Sequence, residues 1–427
     1  METFLSGDVG GTNTRLQLFQ LSVDSPSLKG GVESGKIAPG LLLCQEQYQN
    51  CNYAAFNDIL GAFLKLSKVE NPPLTACLAI AGPVQDNQVS LTNRDWLIDG
   101  ESIEKSFAIR RVLLINDFLG QGYGLLTLDE DSECVALQGA KKVRGGPIAC
   151  IGAGTGLGEC FLTSHVVHAP GGKKEEHEYQ CFPSEGGHAE FSPRNDLEYG
   201  LLKHLKKKHK NEGSQNRISM ERVVAGSGIP DVYEYLCIKH PEQIDHNIHR
   251  KISSAGDLKA AVIAQHKGLN ELCRMAMDIF LTHYGSEAGT ACLKWVPTGG
   301  LYITGGNTPK NIDEIKDPDG LFLKALHDKG RVRGIIKSCP IYAVTVTDLG
   351  ERGAHYVAFK ELQKVLKILD DEKNVVDEII ANDKGSSSEA SNSLSSLPIF
   401  ASIDATIPLV IAATAIATTA IMAFQKK

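Results

Sequence analysis

The chain has 427 residues, room for two or three domains with sizeable cores, and its 42% hydrophobic and 22% charged content argues against wholesale disorder or a collagen-like structure. With 44 Lys and Arg against 51 Asp and Glu the net charge is −7, so no basic bias invites a nucleic-acid backbone. Eleven scattered cysteines, without a CxxC pair, point to reduced, mostly structural thiols rather than a disulfide framework or zinc ribbon.

In chain order, METFLSGDVGG carries neither a basic region nor a useful apolar stretch, so no secretory leader is expected. Residues 3–5 read as an apolar strand and 14–21 as a second, joined by the turn Gly7-Asp8-Val9-Gly10-Gly11-Thr12-Asn13. A helical pattern covers 52–66. Apolar strands at 77–81 and 112–115 stop at Gly82-Pro83 and Asn116-Asp117. About 145 residues after the first turn the plan repeats: strand 147–151, turn 152–158 (GAGTGLG), strand 159–162. Such a repeat predicts two domains with a shared ancestral core. Further helices are expected at 258–284 and 353–366, and strands at 301–304, before Gly305-Gly306, and at 341–346. Strands interleaved with helices predict α/β layering. Segments 22–40, 165–180 and 203–216 read as surface insertions, with KHLKKKHK (203–210) as a solvated helix end.

The two Gly-Thr turns can bring several backbone N–H groups onto one anion, because no side chain blocks the approach. A pair on equivalent hairpins could hold a polyphosphate from both sides, although the same turns also serve as plain hairpin connections. Neither is a Walker A loop, and a strand follows the second where a dinucleotide-binding fold requires a helix. Asp8 suits a Mg²⁺-water contact near phosphates, or an Asx turn. Asp117, at a strand's carboxyl edge, stands where a general base for phosphoryl transfer is needed; a strand-end Asp is as often a cap. Ser184-Glu185-Gly186-Gly187-His188 sets an acceptor and an imidazole around two glycines, so that both could contact one small polyol, and Glu221 adds another acidic group.

Residues 384–396 (KGSSSEASNSLSS) have the composition of a flexible linker. Residues 407–424 then run eighteen positions without a charge. As a helix that is roughly 27 Å, enough to span a hydrocarbon core, so a C-terminal membrane anchor is expected; the alternative is a buried core helix.

Together these segments resemble the bacterial-type glucokinase family, within the hexokinase/actin-like phosphotransferases. GDVGGTNTRLQLF and GAGTGLGE are similar to its two phosphate motifs, INDF (115–118) to its catalytic-base motif, and SEGGHAEF (184–191) and ERVVAGSG (221–228) to its sugar-binding segments. LYITGG (301–306) resembles the adenosine motif and LGERGAHY (349–356) the closing segment. The resemblance covers residues 3–362. It implies two ribonuclease-H-like (actin-like ATPase) α/β domains around a cleft: a small one at 1–126, with 349–368 returning to it, and a large one at 127–348. A linker (369–406) and the hydrophobic segment (407–424), which lies outside the family pattern, follow. It implies transfer of the ATP γ-phosphoryl group to the 6-hydroxyl of D-glucose with Asp117 as base. Asn93, Asn116, Glu185, His188 and Glu221 would hold the sugar, Gly10, Gly11, Thr12, Asn13, Gly154, Thr155 and Gly156 the phosphates, and Gly305 and Gly306 the adenosine, with Asp8 meeting Mg²⁺ through water. A homodimer is expected, with a cytosolic body tethered to an organelle outer membrane. The alternatives are a membrane-tethered sugar sensor with little catalysis and a kinase for another hexose. A related branch of sugar kinases carries a cysteine-rich zinc motif that Cys181 alone does not supply.

Overall fold

The computed structural model describes residues 1–28, 32, 35–91, 94–168, 175–210 and 216–385. Asn93 and the expected membrane-spanning run 407–424 lie outside the described residues. Residues 1–366 form one compact unit, and a second begins at Lys367.

The elements run β1 (Glu2–Val9), β2 (Asn13–Leu21), β3 (Leu41–Gln49), α1 (Phe56–Ser67), β4 (Thr75–Ile80), β5 (Gln88–Leu91), β6 (Trp96–Asp99), α2 (Gly100–Phe107), β7 (Arg111–Asn116) and α3 (Asp117–Leu125). They continue α4 (Glu130–Glu133), β8 (Cys134–Gln138), β9 (Ile148–Ala153), β10 (Leu157–His168), β11 (Glu175–Ser184), α5 (Asp196–Lys208), α6 (Ile229–Lys239), α7 (His246–Ser253), α8 (Lys259–Gln265) and α9 (Glu271–Trp295). Last come β12 (Gly300–Thr304), α10 (Ile312–Lys316), α11 (Leu321–His327), α12 (Arg333–Lys337), β13 (Ile341–Val344) and α13 (Leu349–Gly385).

Among the described residues the strands form two large sheets and the small pair β5-β6. The first sheet has the order β3-β2-β1-β4-β7, the second β11-β10-β9-β12-β13-β8. Each is built on one plan: an antiparallel hairpin (β1-β2, β9-β10) whose first strand also pairs in parallel with a later strand (β4, β12). The sequence repeat therefore corresponds to a repeated strand order. β4 (TACLAI) and β9 (IACIGA) are buried along their whole length, as parallel-paired strands covered on both faces must be.

Phe56, Ile59, Leu60 and Phe63 recur at helical spacing on α1 and pack with the first sheet's core around Leu16, Leu78 and Ile80. In the second sheet, α9 is apolar nearly all round and buries Leu272, Phe280 and Tyr284. α13 returns to the first sheet, where Tyr356, Val357, Phe359 and Leu362 pack with Phe4 and Phe19.

Three expectations differ from the structure. The helix expected at 258–284 is broken: α8 ends at Gln265, and α9 begins after Asn270, whose side chain accepts from the Cys273 amide as an N-cap. Segment 165–180 is not wholly an insertion, because β10 extends to His168 and β11 begins at Glu175, with residues 169–174 outside the described part. Residues 369–385, expected as linker, continue α13 as helix. Helix formers such as Lys364, Lys367, Glu372 and Lys373 carry it, with no Gly or Pro between Gly353 and Gly385. Among the described residues, no helix is long and apolar enough to cross a membrane.

Candidate active site

The first turn closes β1 onto β2 by a Gly10 amide bond to the Asn13 carbonyl (2.9 Å). It is held from behind by a fully buried Asn50. The Asn50 side chain accepts from the Thr14 hydroxyl (2.8 Å) and donates to the Gly10 carbonyl (2.8 Å), while its amide donates to the Thr12 carbonyl (2.9 Å). Arg94 adds a guanidinium bond to the Gly11 carbonyl (3.2 Å). With its carbonyls turned back into the protein, the loop leaves Thr12 exposed at the tip.

The second turn is pinned in the same manner by other residues. Asn307 donates to the Gly154 carbonyl (3.0 Å) and the Ser227 hydroxyl to the Thr155 carbonyl (2.9 Å), while Glu221 accepts from the Leu157 amide (3.0 Å). Thr155 is exposed, like Thr12. Glu221 thus belongs both to this turn and to a cluster with His188, whose imidazole lies 4.0 Å from Glu221 and 3.7 Å from Glu185. The structure therefore brings Glu185, His188 and Glu221 together.

Asp117 opens α3 directly after β7. The Asn116 side chain caps the helix by accepting from the Phe118 amide (2.9 Å) and donates to the Gly82 carbonyl (3.0 Å). One Asp117 carboxylate oxygen also accepts from the Phe118 amide (2.9 Å). Burial raises the Asp117 carboxyl above the usual carboxylate range, against hydrogen bonds from the backbone and Asn116, and the Glu185 charge adds to the rise.

A cavity of about 210 Å³ is lined by Asp8, Asp117, Gln121, Gly305 and Gly306, with Thr347, Leu349 and Gly350. Asp8 is pushed up to about 6, chiefly by burial and then by the Glu351 and Asp117 charges, with Arg15 opposing. A half-buried carboxylate facing two others and disfavoured as an anion fits a divalent cation. Among the described residues, no group of three or more His, Cys, Asp or Glu side chains is set to hold a metal. An ion at Asp8 would thus draw its remaining ligands from water and phosphate oxygens.

Several residues here escaped the sequence reading. Asn50 lies thirty-six positions from its partner Thr14 and in no glycine motif. Gln121, one turn beyond Asp117, accepts from the Thr304 hydroxyl (2.9 Å), and Arg15 pairs with Glu351 (2.8 Å). Only the i, i+4 spacing of Asp117 and Gln121 on one helix face could have signalled any of these.

Two sheets of one strand order, each presenting a Gly-Thr hairpin, with a carboxylate at a strand-to-helix junction beside the cavity, define an α/β kinase fold. A glucokinase family model matches residues 5–361, and the chain belongs to the glucokinase family. It is 39% identical over 368 residues to a glucokinase of Synechocystis sp., spanning 82% of this chain and 96% of that one. It is 36% identical over 366 residues to one of Nostoc sp., spanning 83% and 98%. Among solved structures, a glucokinase from an Antarctic psychrotroph superposes with a TM-score of 0.64 at 24% identity, covering 84% of this chain and 99% of that one. A Balamuthia mandrillaris glucokinase in complex with glucose gives 0.63 at 20% identity, covering 84% and 93%. At these identities the two structures speak to the fold alone.

Proposed function

We propose that this chain transfers the γ-phosphoryl group of ATP to the 6-hydroxyl of D-glucose, with Asp117 as general base. The observation that carries the reading is the cavity whose walls include Asp117, Asp8, Gly305 and Gly306 together. One Asp117 oxygen is held by the Phe118 amide, which leaves the other to take the proton from the sugar hydroxyl as its oxygen attacks phosphorus. The bond from the γ-phosphorus to the bridging oxygen breaks, and ADP leaves.

Glu185, His188, Glu221 and Asn116, with Asn93, would hold the remaining hydroxyls, so that, once the site closes, a sugar lacking one leaves a polar group unpaired. Gly10, Gly11, Thr12 and Asn13 would face Gly154, Thr155 and Gly156 across the phosphates, with Gly305 and Gly306 against adenosine. Mg²⁺, held through water by Asp8, would supply charge neutralisation on the phosphates. The two sheets would act as lobes at 1–126 and 127–348 that close over sugar and exclude water, the competing nucleophile. We extend the reading to a homodimer with a cytosolic body, tethered by residues 407–424 to an organelle outer membrane. The uncharged run and its Ser-rich approach support the tether.

The test is glucose-dependent ADP formation by the full chain with Mg-ATP, beside Asp117→Asn. We expect turnover in the parent and a loss of about 10²–10⁴-fold in kcat in the variant, with glucose binding retained. Because burial raises the Asp117 carboxyl, the acid limb of the parent's rate profile should lie above the ordinary Asp range. Parent protein that binds glucose but turns over no ATP would favour the sensor reading or another phosphate donor, and a hexose panel decides the sugar.

A further inference from the structure

Glu159 follows the second glycine turn, on β10, and no role proposed above uses it. It is fully buried, and neither carboxylate oxygen has a hydrogen-bond partner. In register it stands opposite Ile151 on one side and Ser184 on the other, so it lies beside the start of the 184–188 loop. Strand alternation puts it on the face of Leu157 and Phe161, and Phe161 stacks on Trp295 of α9 (5.6 Å between centroids). The loop itself covers the carboxyl group: a methyl built on Gly186 would overlap Glu159 Oε2 and Cδ.

The charged groups around it compensate only in part, through Lys294. From α9 come Glu287 and Lys294, which pair with each other at 3.2 Å. From the loop come Glu185 and His188, on either side of the two glycines, and Glu221 lies beyond His188. A side chain with a purely packing role here would have no need of a carboxyl group, and an ionised one without a partner is costly to bury.

We infer that Glu159 is a positioning residue for the sugar loop, and that the loop carrying Glu185 and His188 seats over the neutral carboxyl and is displaced when it ionises. The inference rests on the sugar-kinase reading of residues 184–188. Glucose binding, which needs the seated loop, then takes up a proton. Burial and, next, the Glu287 charge push the carboxyl up to about 7, against Lys294. The sign follows from linkage: the group keeps its proton below about 7, so glucose affinity is full there and falls as pH rises through that value.

Glucose binding to the full chain, measured by calorimetry from pH 6 to 8.5 beside Glu159→Gln, tests this. The parent dissociation constant should rise with pH by up to about tenfold per unit on the alkaline side, while the neutral isostere keeps the pH 6 affinity throughout. Every other group is common to the two proteins, so the difference between their profiles belongs to residue 159. Superimposable profiles, or a weakened Glu159→Gln at pH 6, overturn the inference. Should Glu159→Gln fail to fold, Glu159→Met, neutral and of similar volume, takes its place: a pH-independent glucose affinity supports the inference, and the parent's pH dependence retained in that variant overturns it. Glucose binding without proton linkage leaves the sugar-kinase reading intact, whereas no glucose binding at any pH removes both.

Discussion

Asn50 shows how a single buried side chain governs a surface loop. It satisfies the Thr14 hydroxyl and the Gly10 carbonyl together, and its backbone amide fixes the Thr12 carbonyl. Asn50→Ala leaves the buried Thr14 hydroxyl and the half-buried Gly10 carbonyl unpaired, and we expect a stability loss of about 1–3 kcal/mol in denaturant titrations. The same change should raise the KM for ATP and leave glucose affinity unaltered, because Asn50 touches the first turn and not the Glu185-His188-Glu221 cluster. An unchanged KM for ATP would detach the turn from the nucleotide. Asp117 and Asp8 belong to the same scale: both carboxyls are raised chiefly by burial, and each has other carboxylates nearby.

At the scale of elements, α3 carries the proposed base and is fixed by backbone-to-backbone contact with the start of α13. A methyl on Gly353 would overlap the Gly120 carbonyl oxygen, and one on Gly124 would overlap the Leu349 carbonyl. Neither neighbour is a side chain that can swing away. Gly353→Ala must therefore push the two helices apart, at a cost of about 1–3 kcal/mol. Since Asp117 is the first residue of α3, kcat should fall more than glucose affinity does, and equal losses in both would show that α3 moves as little more than a packing element. On the opposite face of α3, Gly122 admits the Cys160 and Cys181 thiols. These buried sulfurs act as packing groups, in line with the structural role read from their scatter along the chain.

Across the whole molecule, the cavity draws its walls from both sheets, and polar links cross between them. Lys360 of α13, which packs on the first sheet, pairs with Glu178 of β11 (2.7 Å), and Arg352 makes two bonds to Glu133 (2.7 and 2.9 Å). The C-terminal segment is tested separately: residues 386–427 fused to a fluorescent protein should fractionate with membranes in cells, and a fully soluble fusion would remove the tether. The repeated strand-turn-strand plan, the paired Gly-Thr turns, Asp117 at a strand end and the acidic and histidine groups after Ser184 were legible in the sequence, whereas the edge strands β3, β8 and β11 were not. Each legible feature is a local pattern, in which a turn needs glycine, a buried parallel strand needs an unbroken apolar run, and a carboxylate at a strand's end follows directly on that run. The break at Gly268, which the apolar periodicity on either side concealed, was not legible. Nor were Asn50 behind the first turn, Gln121 one turn beyond Asp117, the glycine contact of α3 with α13, or Glu159 under the 184–188 loop. Those depend on which distant residues share a small volume. A carboxyl group reads alike in any sequence, and only its neighbours decide whether it is solvated, paired or left neutral beneath a loop.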